Sequence, residues 1–517
     1  MLRGVLTVGG WTMASRILGF ARDMLIAAML GAGPVADAFF VALKLPNLFR
    51  RLFGEGAFNA AFVPAFSGML AAEGRPAARQ FAEETFAVMA FWLGTLTIAG
   101  ELLMPHLMGV LAPGFRATPE KFDLAVALSR ITFPYLLLIC LAALVSGVLN
   151  GLDRFTAASA SYVLFNIVSI ACMLWLTPYV PTAGHALSWG ITISGVAQLG
   201  LLLWALQRAG MGLRLPRPRL TPEIRILLRR MLPGLIGAGV TQLNLAVDVI
   251  IASLLPAGTV SLLYYADRVQ QLPLGVIGTA VGTALLPLLS RQVRAGEAEA
   301  SLATLNRAIE YALFLTLPAA VALIVCAWPV MWSLFGRGAF DAESARLSAQ
   351  SLAAYALGLP AFVLVKVLAP GFFARGDTAT PVKVGITAVA LNLAMNLAFM
   401  VPLQHIGPAL ATSLAAIFNV AWLGVVLIRR GHLQIDAQLR QRSIRVLGAA
   451  TAMGCVLVFA QHLLFTTGQH SAGRLLSLTA LVSIGLVVYA VAVVFSGAAD
   501  LRELRRLLDR RRVRTAR

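Results

Sequence analysis

Three arginines lie inside stretches that are otherwise apolar enough to cross a membrane. Arg16 and Arg22 fall in SRILGFARDMLIAAML, and Arg268 falls in YYADRVQQLP. An ionised side chain at the centre of a membrane helix costs about 2.5 to 3.5 kcal/mol on translocon-based scales, so such residues face a protein interior or a water-filled cavity. The guanidinium group stays protonated, and its planar fork matches phosphate oxygens. These arginines therefore predict a cavity for an anionic ligand, with a phosphorylated one as the best match.

The nearby carboxylates leave an alternative open, in which the arginines are paired internally. The available partners are Asp23, Asp37 and Asp267. Asp37 and Lys44 are seven residues apart and therefore share one face of a helix. Arg16 and Arg22 are six residues apart, which places them about 240° apart around an ideal helix. They would share a face only if the first helix bends, and Gly19 is where it could do so.

A second polar set occurs in the other half of the chain. Asp248 lies in LNLAVDVIIASLL, Asn392 and Asn396 are four residues apart on one helix face, and Thr412 lies on the next predicted helix. Carboxylate, amide and hydroxyl oxygens are ligands for hard cations. The same groups also form hydrogen-bonded cores between membrane helices. Both interpretations, a hard-cation site and a polar core, stay open.

Composition shows what kind of elements must hold these residues. Of the 517 residues 59% are hydrophobic and only 13% are charged, and the mean hydropathy is +0.82, whereas soluble domains are about 25% charged. We predict an all-α polytopic membrane protein. A span needs about 20 apolar residues, which gives fourteen transmembrane helices over 4–29, 35–50, 80–108, 122–149, 156–178, 183–207, 223–255, 259–290, 300–328, 343–373, 379–401, 406–428, 443–464 and 472–496.

The distribution of basic residues orients these helices. With the N-terminus in the cytoplasm, 30 of the 42 lysines and arginines fall on the cytoplasmic side and 5 on the outer side, as the positive-inside rule requires. Both termini are therefore predicted to be cytoplasmic. The net charge of +19 is explained by attraction to anionic membrane lipids, so no nucleic acid partner is expected.

An internal repeat divides the chain. Landmarks recur at nearly constant offsets of 223 to 227 residues: Pro46 with Pro273, Pro64 with Pro287, Pro134 with Pro360, and Asn166 with Asn392. We predict two parallel, pseudo-symmetric six-helix lobes, 1–220 and 221–432, followed by an additional pair, helices 13 and 14, within 433–500 and a basic cytoplasmic tail, 501–517. Transporters built from two such halves bind substrate between them near the midplane.

Motifs of catalysis are missing from the sequence. It contains no GxxxxGK[ST], HExxH or GxSxG pattern, so neither a P-loop engine nor a common hydrolase is expected. A membrane-embedded glycosyl or phosphoglycosyl transferase would need catalytic carboxylates in cytoplasmic loops. The candidates form no motif: Glu55, Glu73, Glu83, Glu84 and Asp153. A scaffold without transport would leave the intramembrane arginines unexplained. The chain is interpreted as a transporter rather than an enzyme.

Four stretches resemble a known family. SRILGFARD, ADAFFVALKLPNLFRRLFGEGAFNAAFVP, YYADRVQQLPLGVIG and KVLAPGFFARGDTATPVK closely resemble the MurJ/MviN family of bacterial lipid II flippases, within the multidrug/oligosaccharidyl-lipid/polysaccharide exporter superfamily. The resemblance runs over nearly the whole chain. It implies a multi-pass inner-membrane protein that transfers undecaprenyl-pyrophosphate-linked disaccharide-pentapeptide from the inner to the outer leaflet for peptidoglycan synthesis. A flippase for another polyprenyl-pyrophosphate-linked glycan, or a cation-coupled exporter of the same superfamily, is the alternative.

The resemblance also implies roles for residues of this sequence. The protein would move its substrate by alternating access, and its pyrophosphate would be bound by Arg16, Arg22 and Arg268. We place Ser15, Asp37 and Lys44 beside them as substrate contacts. Arg50 and Glu55, with Asp23, would form the cytoplasmic gate, and helices 13 and 14 would take the lipid tail. A sodium site would comprise Asp248, Asn392, Asn396 and Thr412, although Asn396 stands where a carboxylate is expected. No cofactor is required, the membrane potential is the expected driving force, and we expect a monomer with transient contacts to cell-wall synthesis proteins.

Overall fold

The computed structural model describes residues 2–51, 57–465 and 470–498, and every regular element in them is a helix. The all-α prediction is therefore confirmed. The α-helices are α1 (Leu2–Leu30), α2 (Pro34–Phe49), α3 (Ala57–Ala72), α4 (Gly74–Leu102), α5 (Met104–Leu111), α6 (Pro119–Thr132), α7 (Tyr135–Gly151), α8 (Phe155–Leu176), α9 (Ala183–Arg208), α10 (Pro222–Ser253), α11 (Thr259–Arg294), α12 (Ala298–Val325), α13 (Ala327–Phe335), α14 (Ala342–Leu357), α15 (Leu359–Phe373), α16 (Ala379–Phe399), α17 (Ile406–Arg429), α18 (Ala437–Leu464) and α19 (Ser471–Phe495).

The helix boundaries differ from the predicted spans in several places. The span predicted over 80–108 is interrupted after Leu102, where α5 begins at Met104, and the span over 300–328 is interrupted after Val325, where α13 begins at Ala327. The span predicted over 122–149 is divided into α6 and α7 next to Pro134, and the span over 343–373 is divided into α14 and α15 next to Pro360. Proline lacks the backbone N–H of a continuous helix and crowds the preceding turn. In addition, α3 forms where the sequence predicts a connection between two spans, and the helix contains Pro64.

Ten helical segments in the described part of the chain are long and apolar enough to cross a membrane. Each corresponds to one predicted span. The four predicted spans without such a counterpart are α1, α2, α10 and α11. The chain is therefore a multi-pass membrane protein, whereas the number of fourteen spans and the cytoplasmic location of both termini stay predictions.

The chain forms two compact units. The first comprises the residues up to Ser261 together with Gly338–Phe340, and the second comprises Leu262–Arg337 and the chain from Asp341 onward. Helix α10 packs on α3, α4 and α5 and so belongs to the first unit. The predicted lobes 1–220 and 221–432 were defined by the sequence repeat, and that division stays a prediction.

The first unit packs through aromatic and small residues. Phe58, Phe62 and Phe66 follow one face of α3 at intervals of four residues, with ring centroids 5.0 and 5.8 Å apart. This stack faces α7 at Gly147 and Gly151, where a Cβ on Gly151 would approach the Phe66 ring to 2.7 Å. The two helices approach closely because glycine has no side chain at the contact.

The second unit packs around an aliphatic core. Leu305 of α12, Val363, Val367 and Phe372 of α15 and Leu427 of α17 are buried in one cluster. Helices α18 and α19 pack against each other, and α18 also packs along α12. The last pair of helices is therefore an integral part of this unit.

We expect Gly151→Ala to destabilise the first unit, because the added methyl group must displace the Phe66 ring. Overpacking of this kind costs about 1–3 kcal/mol. The measurement is the thermal denaturation midpoint of the purified chain in detergent. Gly94→Ala is the matched control, since no atom lies within 4 Å of a Cβ at that helical glycine. Equal midpoints for both variants would contradict the packing.

Candidate functional site

Helix α1 is held against α8 by one asparagine. The Asn166 amide Nδ2 donates to the backbone oxygen of Ser15 at 3.2 Å and to its Oγ at 3.4 Å. A Cβ at Gly19 would lie 3.6 Å from the same amide, so both α1 residues face Asn166. The helix continues through Gly19. Ser15, predicted to contact substrate, is in this structure a packing contact between two helices.

The two α1 arginines lie in different environments. Arg16 is exposed and makes no hydrogen bond or ion pair within the described residues. The Arg22 side chain is 13% exposed, and its Nη2 lies 3.1 Å from Asp23 Oδ1. Its Cζ lies 5.4 Å from the centre of the Phe165 ring, while its Nε is buried with no hydrogen-bond partner in the described part of the chain. Ion pairing within the described residues thus offsets part of the positive charge of Arg22 and none of that of Arg16.

Both oxygens of the Asp37 carboxylate accept hydrogen bonds. The residue is 1% exposed. Its Oδ2 accepts from Lys121 Nζ and from the Gly258 N–H, both at 2.7 Å. Its Oδ1 accepts from the N–H and the Oγ of Ser261, both at 2.9 Å. Because Gly258 and Ser261 flank the start of α11, the carboxylate also lies at the positive end of a helix dipole.

Arg268 lies on α11 in the second unit. Its Nη2 donates to the Tyr264 hydroxyl at 2.7 Å, and its Cζ lies 4.8 Å from the centre of that ring. The neighbouring Asp267 accepts from Gln271 Nε2 at 2.5 Å. Tyr264 therefore orients the Arg268 guanidinium, one helical turn away. Since Arg16 and Arg22 belong to the first unit and Arg268 to the second, each is described within its own unit.

Helix α2 and the residues that follow it carry further predicted site residues, and the structure describes only some of them. Lys44 is half-buried on α2. Arg50 Nε donates to Asn47 Oδ1 at 3.3 Å, and Arg50 lines a small cavity with Tyr162 and Gln198. Glu55 lies outside the described residues. The gate role of Arg50, Glu55 and Asp23 stays a prediction.

Three members of the predicted sodium set form a hydrogen-bonded chain in the second unit. Asn396 Nδ2 donates to Asn392 Oδ1 at 2.9 Å, and Asn392 Nδ2 donates to Thr412 Oγ1 at 3.2 Å. Asn392 and Asn396 are buried. Two of the oxygens needed for a cation thus already accept N–H groups, which favours the polar core. Asp248 belongs to the first unit, and sodium binding stays a prediction.

Sequence reasoning missed two features of this kind. Lys121 follows directly from the predicted topology as an outer-side residue, but its role does not: it is 8% exposed and paired with Asp37. No local pattern marks that pairing, because 84 residues separate the two. In the ARGDTATP stretch, Asp377 accepts from the hydroxyl and N–H of Thr380 and from Arg430. These contacts hold the pKa of the Asp377 carboxyl well below its usual value. This part of the family-like motif begins α16.

Comparison with known proteins identifies the family. The family model described as lipid II flippase MurJ matches residues 26–490. The chain belongs to the lipid II flippase MurJ family. It is 43% identical over 519 residues to a probable lipid II flippase MurJ of Rhizobium tropici, covering 99% of this chain and 97% of that protein.

Solved structures agree with this assignment. A lipid II flippase MurJ in an inward closed conformation superimposes with a TM-score of 0.78 at 25% identity, covering 95% of this chain and 98% of that one. An inward-facing MATE family multidrug transporter of the MOP superfamily shares the fold, with a TM-score of 0.65 at 14% identity over 82% of this chain and 98% of that one. The chain is thus a multi-pass inner-membrane protein of the MurJ family with the fold of that superfamily.

We expect Asp37→Asn to weaken the first unit strongly, because Lys121 loses its counter-ion in a buried position. Removing one partner of a buried ion pair costs about 3–5 kcal/mol. The measurement is the denaturation midpoint in detergent. Asp123→Asn is the matched control on α6, where the carboxylate is exposed. If both variants unfold at the wild-type temperature, the Asp37 contacts do not stabilise the fold.

We expect Asn392→Ala to lower the denaturation midpoint by the same amount in sodium chloride and in potassium chloride, because it breaks a hydrogen-bonded chain. A buried polar partner left without its hydrogen bond costs about 1–3 kcal/mol. A wild-type protein stabilised by sodium alone, with that stabilisation lost in Asn392→Ala, would contradict the polar core and support the cation site.

Proposed function

We propose that this chain moves undecaprenyl-pyrophosphate-linked disaccharide-pentapeptide from the inner to the outer leaflet of the cytoplasmic membrane by alternating access. In this proposal Arg16, Arg22 and Arg268 bind the pyrophosphate. The main observation that supports this proposal is on α1. There Arg16 has no partner in the described residues, and the buried Nε of Arg22 makes no hydrogen bond in them. Family membership supports lipid II as the substrate.

The chemistry of the arginines supports a pyrophosphate ligand. A pyrophosphate presents several anionic oxygens, and guanidinium groups bind such oxygens through two parallel hydrogen bonds. In an apolar segment, an arginine without a carboxylate partner is stabilised by a ligand of this charge or by water. Arg22 stays oriented by Asp23 and by the Phe165 ring, and Arg268 by Tyr264. Both guanidinium groups are therefore held in place before the ligand arrives.

Alternating access requires contacts that hold one state and then release. The Asp37 carboxylate joins α2, α6 and the start of α11 through four hydrogen bonds. We assign it the role of a latch rather than a direct ligand. The MurJ structure that shares this fold is in an inward closed conformation, in keeping with a fold that changes its access.

The driving force in this proposal is the membrane potential. A positively charged region feels roughly 2.3 kcal/mol per elementary charge per 100 mV, and release of the anionic substrate leaves the arginines uncompensated. The potential then favours their return toward the cytoplasmic side. No organic cofactor and no sodium step are needed in this scheme. The protein acts as a monomer in it, and its contacts with cell-wall synthesis proteins are transient.

The deciding experiment measures lipid II exposed on the outer leaflet of cells depleted of this protein and complemented with variants. We expect wild type to restore exposure and Arg16→Ala to abolish it at equal membrane abundance, because the pyrophosphate loses a charge-assisted partner. Arg75→Ala is the matched control in the first unit, since that arginine is exposed and makes no hydrogen bond or ion pair in the described residues.

Three results would overturn the proposal. Equal exposure of lipid II in depleted and complemented cells would show that another protein moves this lipid. Normal exposure with Arg16→Ala, Arg22→Ala and Arg268→Ala alike would show that the arginines do not bind the pyrophosphate. Loss of exposure of a different lipid-linked glycan in depleted cells would assign the chain to that substrate instead.

A further inference from the structure

Two arginines meet at the end of the second unit where α13 ends and α19 begins. Arg474 Nη1 donates to the Trp332 carbonyl at 3.4 Å, and Arg337 Nη2 donates to the adjacent Ser333 carbonyl at 3.0 Å. Ser333 Oγ in turn donates to the Arg474 carbonyl at 3.3 Å. The two guanidinium groups are therefore fixed on consecutive carbonyls of one helical turn.

Neither arginine has an acidic partner. Within residues 2–51, 57–465 and 470–498, no carboxylate forms an ion pair with Arg337 or Arg474. Arg474 is only 8% exposed, and its remaining hydrogen bond goes to the Ser471 hydroxyl at 3.1 Å. The Nε atoms of both arginines are buried and make no hydrogen bond in the same part of the chain.

The C-terminus of α13 explains only part of this arrangement. Cations at a helix C-terminus interact favourably with its partial negative charge, which amounts to about half an elementary charge. Two full positive charges exceed it. The N-terminus of α19 adds more positive potential, since its N-cap residue His470 supplies no side-chain cap. The cluster as a whole is therefore short of negative charge.

Aromatic side chains give this end of the unit the character of a membrane interface. The Arg474 guanidinium lies 4.2 Å from the centre of the Trp332 ring. Trp332 stacks on Trp328 at 6.2 Å, and Trp328 packs edge-on against Phe465 at 6.4 Å. Trp328 is 40% exposed. Tryptophan is enriched where membrane helices meet the lipid headgroups.

We propose that Arg337 and Arg474 form a binding site for the phosphate of an anionic lipid headgroup. The predicted topology places both residues on the outer side, so the lipid belongs to the outer leaflet. The Nη groups of both arginines, which keep N–H groups beyond those used on Trp332, Ser333 and Ser471, bind the phosphate oxygens, while the exposed Trp328 ring contacts the lipid beside the headgroup. Arginine suits this role because its fork pairs with two phosphate oxygens at once. The site needs no transport step and stands apart from the lipid II proposal.

The test is lipid binding to the full-length chain, purified in mild detergent, by native mass spectrometry. The probes are phosphatidylglycerol, phosphatidylcholine and inorganic phosphate, which separate an anionic headgroup, a zwitterionic headgroup and a free phosphate ion. We expect wild type to prefer phosphatidylglycerol. Arg337→Gln and Arg474→Gln should each weaken that binding by about tenfold, as expected for the loss of one charge-assisted contact.

Arg346→Gln is the matched control, because this exposed arginine of the same unit is already paired with Glu343 at 2.6 Å. We expect it to bind phosphatidylglycerol like wild type. If Arg474→Gln does not fold, the half-buried Arg337 carries the test alone. Wild-type phosphatidylglycerol binding by Arg337→Gln would overturn the proposal and leave the arginines as caps of α13. Arginine-dependent binding of inorganic phosphate without a lipid preference would overturn the lipid assignment.

Discussion

An ionised side chain buried in apolar surroundings must be compensated, and much of this structure follows from how each charge meets that requirement. Desolvation of one such group costs several kcal/mol, and only a counter-charge with further hydrogen bonds offsets it. Asp37 satisfies the requirement completely, with Lys121 and three donors near the start of α11. Arg16, by contrast, is exposed and makes no hydrogen bond or ion pair within the described residues. Asp37 therefore stabilises the first unit, whereas Arg16 is available for the proposed ligand.

In the second unit, a network of ion pairs joins α18 to α12. Glu310 of α12 is 6% exposed and accepts from Arg307 and from Arg442 of α18, the latter at 2.5 Å. Arg307 also pairs with Asp436 at 2.5 Å, and Asp436 caps α18 by accepting from the Leu439 N–H at 2.6 Å. Two cations and two anions close this network. Helix α18 is thereby held on α12 by charge as well as by packing, although it lies outside the predicted repeat.

Hydropathy and periodicity were sufficient to predict helices but not their interruptions or their polar partners. The predicted span over 379–401 corresponds closely to α16, because an uninterrupted apolar stretch has only one stable form in a membrane. The prolines near residues 134 and 360 were visible, yet whether a proline bends or ends a helix depends on packing: α11 continues through Pro273 and Pro287. The Asp37–Lys121 pair joins positions too distant for any local pattern. The contact of Asn166 with α1 likewise depends on tertiary structure, although its repeat position had singled that residue out.

Helix α1 carries two of the proposed substrate arginines within an otherwise apolar helix of membrane-spanning length. Helix α1 contains Arg16, Arg22 and Asp23. Three ionised groups would make α1 costly as an isolated span, at about 2.5 to 3.5 kcal/mol for each central charge. Its contact with α8 supplies neighbours that lipid does not: Asn166 binds Ser15 and faces Gly19, and Phe165 lies against Arg22. The more apolar helices therefore stabilise the polar ones, and a chain that binds an anion inside a membrane needs both kinds.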